Sequence, residues 1–153
     1  MRPAALIGVV CTAQVLAQIG GFTFAALLPV FFELWQLSHS DAGWLSGIFF
    51  GAYALSVPIL LPLTDRFRAR GIYVVCVGLT AASHLAMAML ACGFWSAMIF
   101  RALAGVGWAG TYMVGLRALT DELTGPAQSR AVALNAASIG VSGAISFALA
   151  GAL

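Results

Sequence analysis

Arg101-Ala-Leu-Ala-Gly-Val-Gly-Trp-Ala-Gly-Thr-Tyr112 puts a guanidinium inside a run that otherwise has the composition of a membrane span. Arginine keeps its charge at every accessible pH, and a cation well inside a bilayer costs roughly 2.5 to 3.5 kcal/mol on insertion scales. At 3.6 residues per turn Arg101, Gly105, Trp108 and Tyr112 fall on one stripe, which predicts the wall of a polar cavity. Arg101 lies about 9 Å along the helix from Trp95, close enough for its long side chain to reach back toward headgroups. Ionisable residues within spans face protein or water by default, and we adopt the bundle-facing reading.

Working outward, the 153 residues are 62% hydrophobic and 8% charged, with a mean hydropathy of +1.02. Such a chain cannot keep a soluble surface wet and belongs in a lipid bilayer. All seven basic residues are Arg and the net charge is +2, which leaves no footprint for nucleic acid. Cys11, Cys76 and Cys92 are odd in number, far apart and without metal-ligand spacing; they read as packing residues. No metal and no cofactor is expected.

Five apolar stretches are long enough to cross a hydrocarbon core of about 30 Å, over residues 4–34, 42–61, 71–90, 95–116 and 131–153. Even hydrophobicity without alternation makes them helices rather than barrel strands, so the predicted fold class is an all-α, polytopic integral membrane bundle. The opening apolar run of about thirty residues exceeds a signal-peptide core and should stay attached as the first span. Arg2, Arg66, Arg68, Arg70, Arg117 and Arg130 fall in the N-terminus and in the second and fourth connections. The positive-inside rule then places the N-terminus in the cytoplasm of a cell membrane and Leu153 outside.

Each span carries its own polar or small-residue pattern. Gln14 and Gln18 are one turn apart in the first, with Gly21 on the same stripe, and Pro29 predicts a bend. The amides mark either a helix contact or a cavity wall. Ser40-Asp41 offers an N-cap before the second span. That span has Gly43, Gly47 and Gly51 at four-residue spacing, a groove expected to receive a neighbouring backbone, and Pro58 and Pro62, expected to bend or end it. His84 is the conspicuous polar residue of the third and reads as a hydrogen bond to another helix. Residues 117–130 predict a polar connection with a Gly-Pro turn, in which Asp121 and Glu122 either pair with arginines of the other inner loop or form a solvated charge cluster. The fifth span places Asn135, Ser138, Ser142 and Ser146 on one face.

The connection Leu61-Pro-Leu-Thr-Asp65-Arg66-Phe-Arg68-Ala69-Arg70 resembles the loop motif G-x-L-A-D-R-x-G-R-K of the major facilitator superfamily. Leu63, Asp65, Arg66 and the basic Arg70 match; Leu61 and Arg68 stand in place of the glycines and Ala69 in place of a basic residue. Arg101, Gly105, Gly107 and Ala109 are similar to the fourth-helix pattern R-x-x-x-G-x-G-x-A of the same superfamily. The resemblance covers the chain but only the first five of the usual twelve helices. It implies a partial amino-terminal domain over residues 1–153, with the sixth helix and the carboxy-terminal half absent.

The same resemblance implies that Asp65, Arg66 and Arg70 belong to a cytoplasmic latch that holds the outward-open state. It also implies that Arg101 faces a central cavity and acts in solute binding or proton coupling. Gln14, Gln18, Trp108, Tyr112 and Asn135 are then candidate cavity residues, and Gly105 and Gly107 join the packing glycines. The partners implied are the bilayer, a small solute, a coupled proton or counter-solute, and the missing half. A buried Arg with several amides and no deep carboxylate favours an anionic or polar neutral solute.

The absence of proline between Ala127 and Leu153 sets the chain apart from the antiporter subgroup. Two other classes compete with a transporter. One is a five-span interaction or assembly subunit. The other is a rhomboid-like intramembrane protease, because Gly140-Val-Ser142-Gly143-Ala144 resembles that family's G-x-S-G motif; no histidine follows Ser142 to activate it.

Overall fold

The computed structural model describes residues 3–152, and every regular element within them is helical. Arg2, one of the residues that orient the chain, and Leu153, the end of the fifth expected span, lie outside the described residues. Five helices are long and apolar enough to cross a membrane: Ala4–Ala26, His39–Arg66, Ala69–Leu90, Phe94–Glu122 and Gly125–Gly151.

The first expected span is two helices, α1 (Pro3–Ala26) and α2 (Leu28–Trp35), broken at Leu27. Pro29 sits in the first turn of α2, where its missing N–H interrupts the ladder, so the bend falls where the proline predicts it. Helix α3 (His39–Arg66) is capped two residues before Ser40, where the sequence places the cap. Ser38 is the N-cap, its hydroxyl accepting from the Asp41 amide at 3.1 Å while the Asp41 carboxylate accepts from the Ser38 amide at 2.9 Å. Asp41 is therefore the third residue of the helix, closing a capping box, rather than the cap. Pro58 and Pro62 lie inside α3, which continues to Arg66. Membrane helices tolerate proline where neighbouring groups take up the freed backbone, so these two do not end the span.

Helix α4 (Ala69–Leu90) leads into the longest rod of the chain. It comprises α5 (Phe94–Ala109), a π-helical turn (Gly110–Val114) and α6 (Gly115–Glu122). Helix α7 (Gly125–Gly151) follows, with Gly125 at φ +60 and Pro126 in its first turn. The expected polar loop of residues 117–130 is thus almost entirely helical, broken only around Leu123 and Thr124. A rod of this length spans about 43 Å, so its last turns clear a core of about 30 Å and carry charge while still helical.

Packing divides the bundle in two. Helix α5 lies between α3 and α4, and α7 lies along α1. The span built on α5 is the central one, 56% buried over its most apolar window against 17–22% for the others. Gly105 and Gly107 are about 200° apart on α5 and so serve different neighbours. A Cβ on Gly105 would overlap the Phe49 carbonyl of α3; one on Gly107 would overlap Thr80 and the Cys76 carbonyl of α4.

The glycines of α3 behave differently. Gly43, Gly47 and Gly51 are exposed and would meet nothing within 4 Å if given a Cβ. The backbone contact expected of this stripe is not made within the described residues, because Leu45 and Phe49 turn the opposite face of α3 toward α5. Cys76 is buried and Cys11 half-buried, in keeping with packing roles, whereas Cys92 is exposed at the α4–α5 turn. Large apolar side chains such as Leu55, Met89 and Trp95 cover the outside, and the interior holds Gln14, Gln18, Arg101 and Asn135. Such an arrangement suits lipid as the solvent.

Candidate functional site

Arg101 is 5% exposed and does not reach a headgroup. Its Nε donates to the Leu45 carbonyl of α3 at 2.8 Å and its Nη1 to the Gly21 carbonyl of α1 at 3.3 Å. The guanidinium carbon lies 4.3 Å from the Phe24 ring centroid and 4.8 Å from that of Phe49. Backbone dipoles and ring quadrupoles thus replace the counter-ion that a buried cation otherwise needs. Mechanically, one side chain ties α1 and α3 to α5.

The rest of the stripe also faces α3. Trp108 stacks on Phe49 with centroids 5.3 Å apart, meets Tyr53 at 4.4 Å and lies 6.1 Å from Tyr112. The stripe is real, but the room left by Gly105 is filled by Phe49, so much of the expected cavity wall is a helix contact. Tyr112 stays half-buried, and the buried Trp108 indole N–H has no acceptor among the described residues.

A second polar group lies between α1 and α7. Ser142 donates to the Gln18 Oε1 at 2.9 Å and Ser146 to the Ile19 carbonyl at 2.6 Å. Val10 and Ala131 share an apolar cluster nearer the arginine-rich end. These pairings make the two helices parallel and place Gln14 and Asn135 at one level between them. Both are at most 1% exposed, and neither amide has a hydrogen-bond partner on its oxygen or its nitrogen among the described residues. An unpaired buried polar group costs about 1–3 kcal/mol, so two whole amides at one level are a departure that calls for a reason. The candidate residues therefore form two neighbouring groups, the Arg101–Trp108–Tyr112 stripe on α5 and the Gln14–Gln18–Asn135 seam. The Ser142 hydroxyl belongs to the seam, its one hydrogen having both the Gln18 Oε1 and the Ile139 carbonyl within reach.

At the arginine-rich end, Arg117 donates to Asp65 at 2.6 Å and also to Thr64 and the Leu61 carbonyl. Asp65 thus joins the end of α3 to α6. The pairing runs opposite to the expected one, since Asp121 contacts Arg117 of its own helix at 3.5 Å rather than an arginine of the other loop. Arg66 and Arg70 are exposed and make no ion pair among the described residues; they sit at the abutting ends of α3 and α4, with solvent in reach. The sequence reading missed Arg117 as the partner of Asp65. The signal was present, in that a motif carboxylate calls for a cation on a neighbouring helix end.

A groove of about 620 Å³ opens between α1, α4 and α6, with apolar walls and with Arg70, Asp121 and Glu122 among its lining. None of the expected cavity residues borders it. A cavity of about 20 Å³ lies beside Arg101 and is bordered also by His84, Phe24 and Met87.

Comparison with known proteins bears on this arrangement. The chain is 24% identical to the human protein spinster homolog 1 over 136 residues, covering 87% of this chain and 25% of that protein. It is likewise 24% identical to the bovine protein spinster homolog 1 over 130 residues, covering 83% and 24%. The chain spans about a quarter of the length of these relatives. No solved structure matches it. The family model of the Major Facilitator Superfamily matches residues 10–153. With its multi-pass helical bundle, its Asp65-Arg66 loop and its Arg101–Ala109 helix, the chain belongs to the Major Facilitator Superfamily.

Proposed function

We propose that the complete protein is a secondary transporter that moves a small solute across a cell membrane by alternating access. In this reading residues 1–153 are the first five helices of its amino-terminal six-helix domain, with the N-terminus in the cytoplasm. The remaining chain supplies the sixth helix and the second half against which this one rocks. Transport is driven by a coupled proton or counter-solute.

The observation that carries the reading is the unsatisfied hydrogen-bonding capacity of Gln14 and Asn135. Helices that part during a transport cycle expose such groups to solute or water, where they are satisfied; a static core has no use for them. Gln14, Gln18 and Asn135, with Trp108 and Tyr112, are the proposed solute contacts. Arg101 already gives two N–H groups to carbonyls and has rings against it. Of the two solute classes favoured by the sequence, the polar neutral one is therefore the better match. Asp65 with Arg117 forms the latch at the cytoplasmic end, Arg66 and Arg70 adding positive charge beside it.

The test is uptake into proteoliposomes by the complete protein, using a panel of labelled polar neutral solutes, organic anions and organic cations. Uptake of a neutral solute that falls at least tenfold in the Gln14→Leu/Asn135→Leu double variant is expected. Uptake of a cation with no competition from neutral solutes would remove the solute class. Unchanged transport in the double variant would remove the seam from the solute path.

A further inference from the structure

Beside Arg101 the α1–α4–α5 junction contains a group that the clamp does not use. A Cβ on Gly20 of α1 would overlap the ring of His84, so the imidazole reaches from α4 into space that only a glycine leaves open. Its Nε2 is buried and has no hydrogen-bond partner among the described residues. The ring and the guanidinium border the same cavity of about 20 Å³, whose other walls are apolar or small, among them Phe24, Met87 and Phe100. Arg101 still has N–H groups without an acceptor among the described residues after serving Leu45 and Gly21.

A cavity needs about 10–15 Å³ and two or more polar partners to hold a water molecule, and both conditions are met here. We infer that one buried water occupies this cavity, accepting a hydrogen bond from the Arg101 guanidinium and donating one to His84 Nε2. His84 is thereby a positioning residue for Arg101.

The direction of the bonds follows from charge. A guanidinium offers only donors, so the water must present its oxygen to Arg101 and a hydrogen to the imidazole. An Nε2 that carried a proton would aim a second donor at a water already facing a cation. The neutral imidazole with an unprotonated Nε2 is the form that closes the chain. Arg101 is then held from three sides, by α1, by α3, and through water by α4. This deepens the transport reading by adding to the machinery around Arg101, and the bridge itself exists or fails independently of transport.

Magnetic resonance of the complete protein, labelled with nitrogen-15 at histidine and reconstituted in lipid, tests the bridge directly. The resonances that vanish in His84→Gln identify this ring. The expected result is a neutral imidazole whose Nε2 is unprotonated, correlates with a slowly exchanging water and moves in Arg101→Lys. A protonated Nε2, a ring without a water correlation, or one insensitive to Arg101→Lys overturns the inference, whatever the transport activity. In proteoliposomes His84→Gln, which keeps an acceptor, should stay within about threefold of the parent. His84→Leu should lose about tenfold or more, as expected for a hydrogen bond to a charged group. Equal transport by His84→Leu and the parent, with both proteins monodisperse, would show that positioning does not pass through this ring.

Discussion

The α3–α5–α4 contact and the α1–α7 seam solve the same problem, holding two helices together in lipid, in opposite ways. Around α5 the backbones close on glycine: Gly105 against the Phe49 carbonyl, Gly107 against Thr80 and Cys76. Along the seam the helices meet through Gln14, Gln18, Asn135 and a ladder of serines, and part of that polar surface is unsatisfied. Lipid tails give no hydrophobic drive to helix association, so close van der Waals fit is the source of stability in the first region. The second gives up some of that stability and in return has hydrogen-bonding groups to offer. A closely packed unit beside a seam with unsatisfied polar groups is the arrangement that the proposed transport cycle requires.

The contrast breaks most severely at Gly105. Gly105→Leu should leave no monodisperse, folded protein in size-exclusion and thermal-unfolding measurements, because the obstruction is backbone rather than a side chain that can turn away. The same change at Gly47, on the exposed face of α3, should be tolerated by the residues described here. A loss of fold at Gly47 in the complete protein would locate a backbone contact supplied by the rest of the chain.

Arg101 comes next. Arg101→Ala should abolish or strongly impair transport and Arg101→Lys should recover only part of it, since a lysine has no planar fork to reach the Leu45 and Gly21 carbonyls together. Normal uptake by Arg101→Ala would reduce the clamp to a packing device.

The seam should respond in the reverse sense. Replacing Gln14 and Asn135 with leucine removes four unpaired polar atoms. The double variant is expected to unfold at a higher temperature, with a gain of about 1–3 kcal/mol, while transport falls. Stability lost rather than gained would mean that both amides have partners in the complete protein. The smallest effect is expected at the surface. Asp65→Asn should hardly move the unfolding midpoint, since the Asp65 side chain is 62% exposed and Arg117 keeps Thr64 and the Leu61 carbonyl as acceptors. It should nevertheless alter the transport rate. The exchange of Asp65→Arg with Arg117→Asp should recover that rate, and failure to recover would show that Thr64 and the Leu61 carbonyl, not the charge pair, orient Arg117.

The ends of the spans show how a sequence misleads at the bilayer surface. Residues 117–130 are polar, and polarity read as a loop; helices nevertheless run on past the hydrocarbon and the chain turns around Leu123 and Thr124. The capping box at Ser38 was legible, since Ser38 stands three residues before Asp41, yet the nearer Ser40 drew the reading.

Hydrophobicity and its spacing by themselves determined that this chain is a five-span helical membrane protein, because only a helix satisfies its own backbone within lipid. Two motifs, one of them built on an arginine within a span, determined where its family resemblance lies; which helix stands at the centre came from the packing. Which face of each helix turns inward was left to tertiary structure. Gly43, Gly47 and Gly51 have the same small side chains as Gly105 and Gly107, and periodicity cannot say which stripe finds a neighbour. Likewise the cations and acids of the chain offer many pairings, and only the approach of α6 to the end of α3 selects Arg117 for Asp65. Composition sets what a helix can touch, and the packing of the others decides what it does touch.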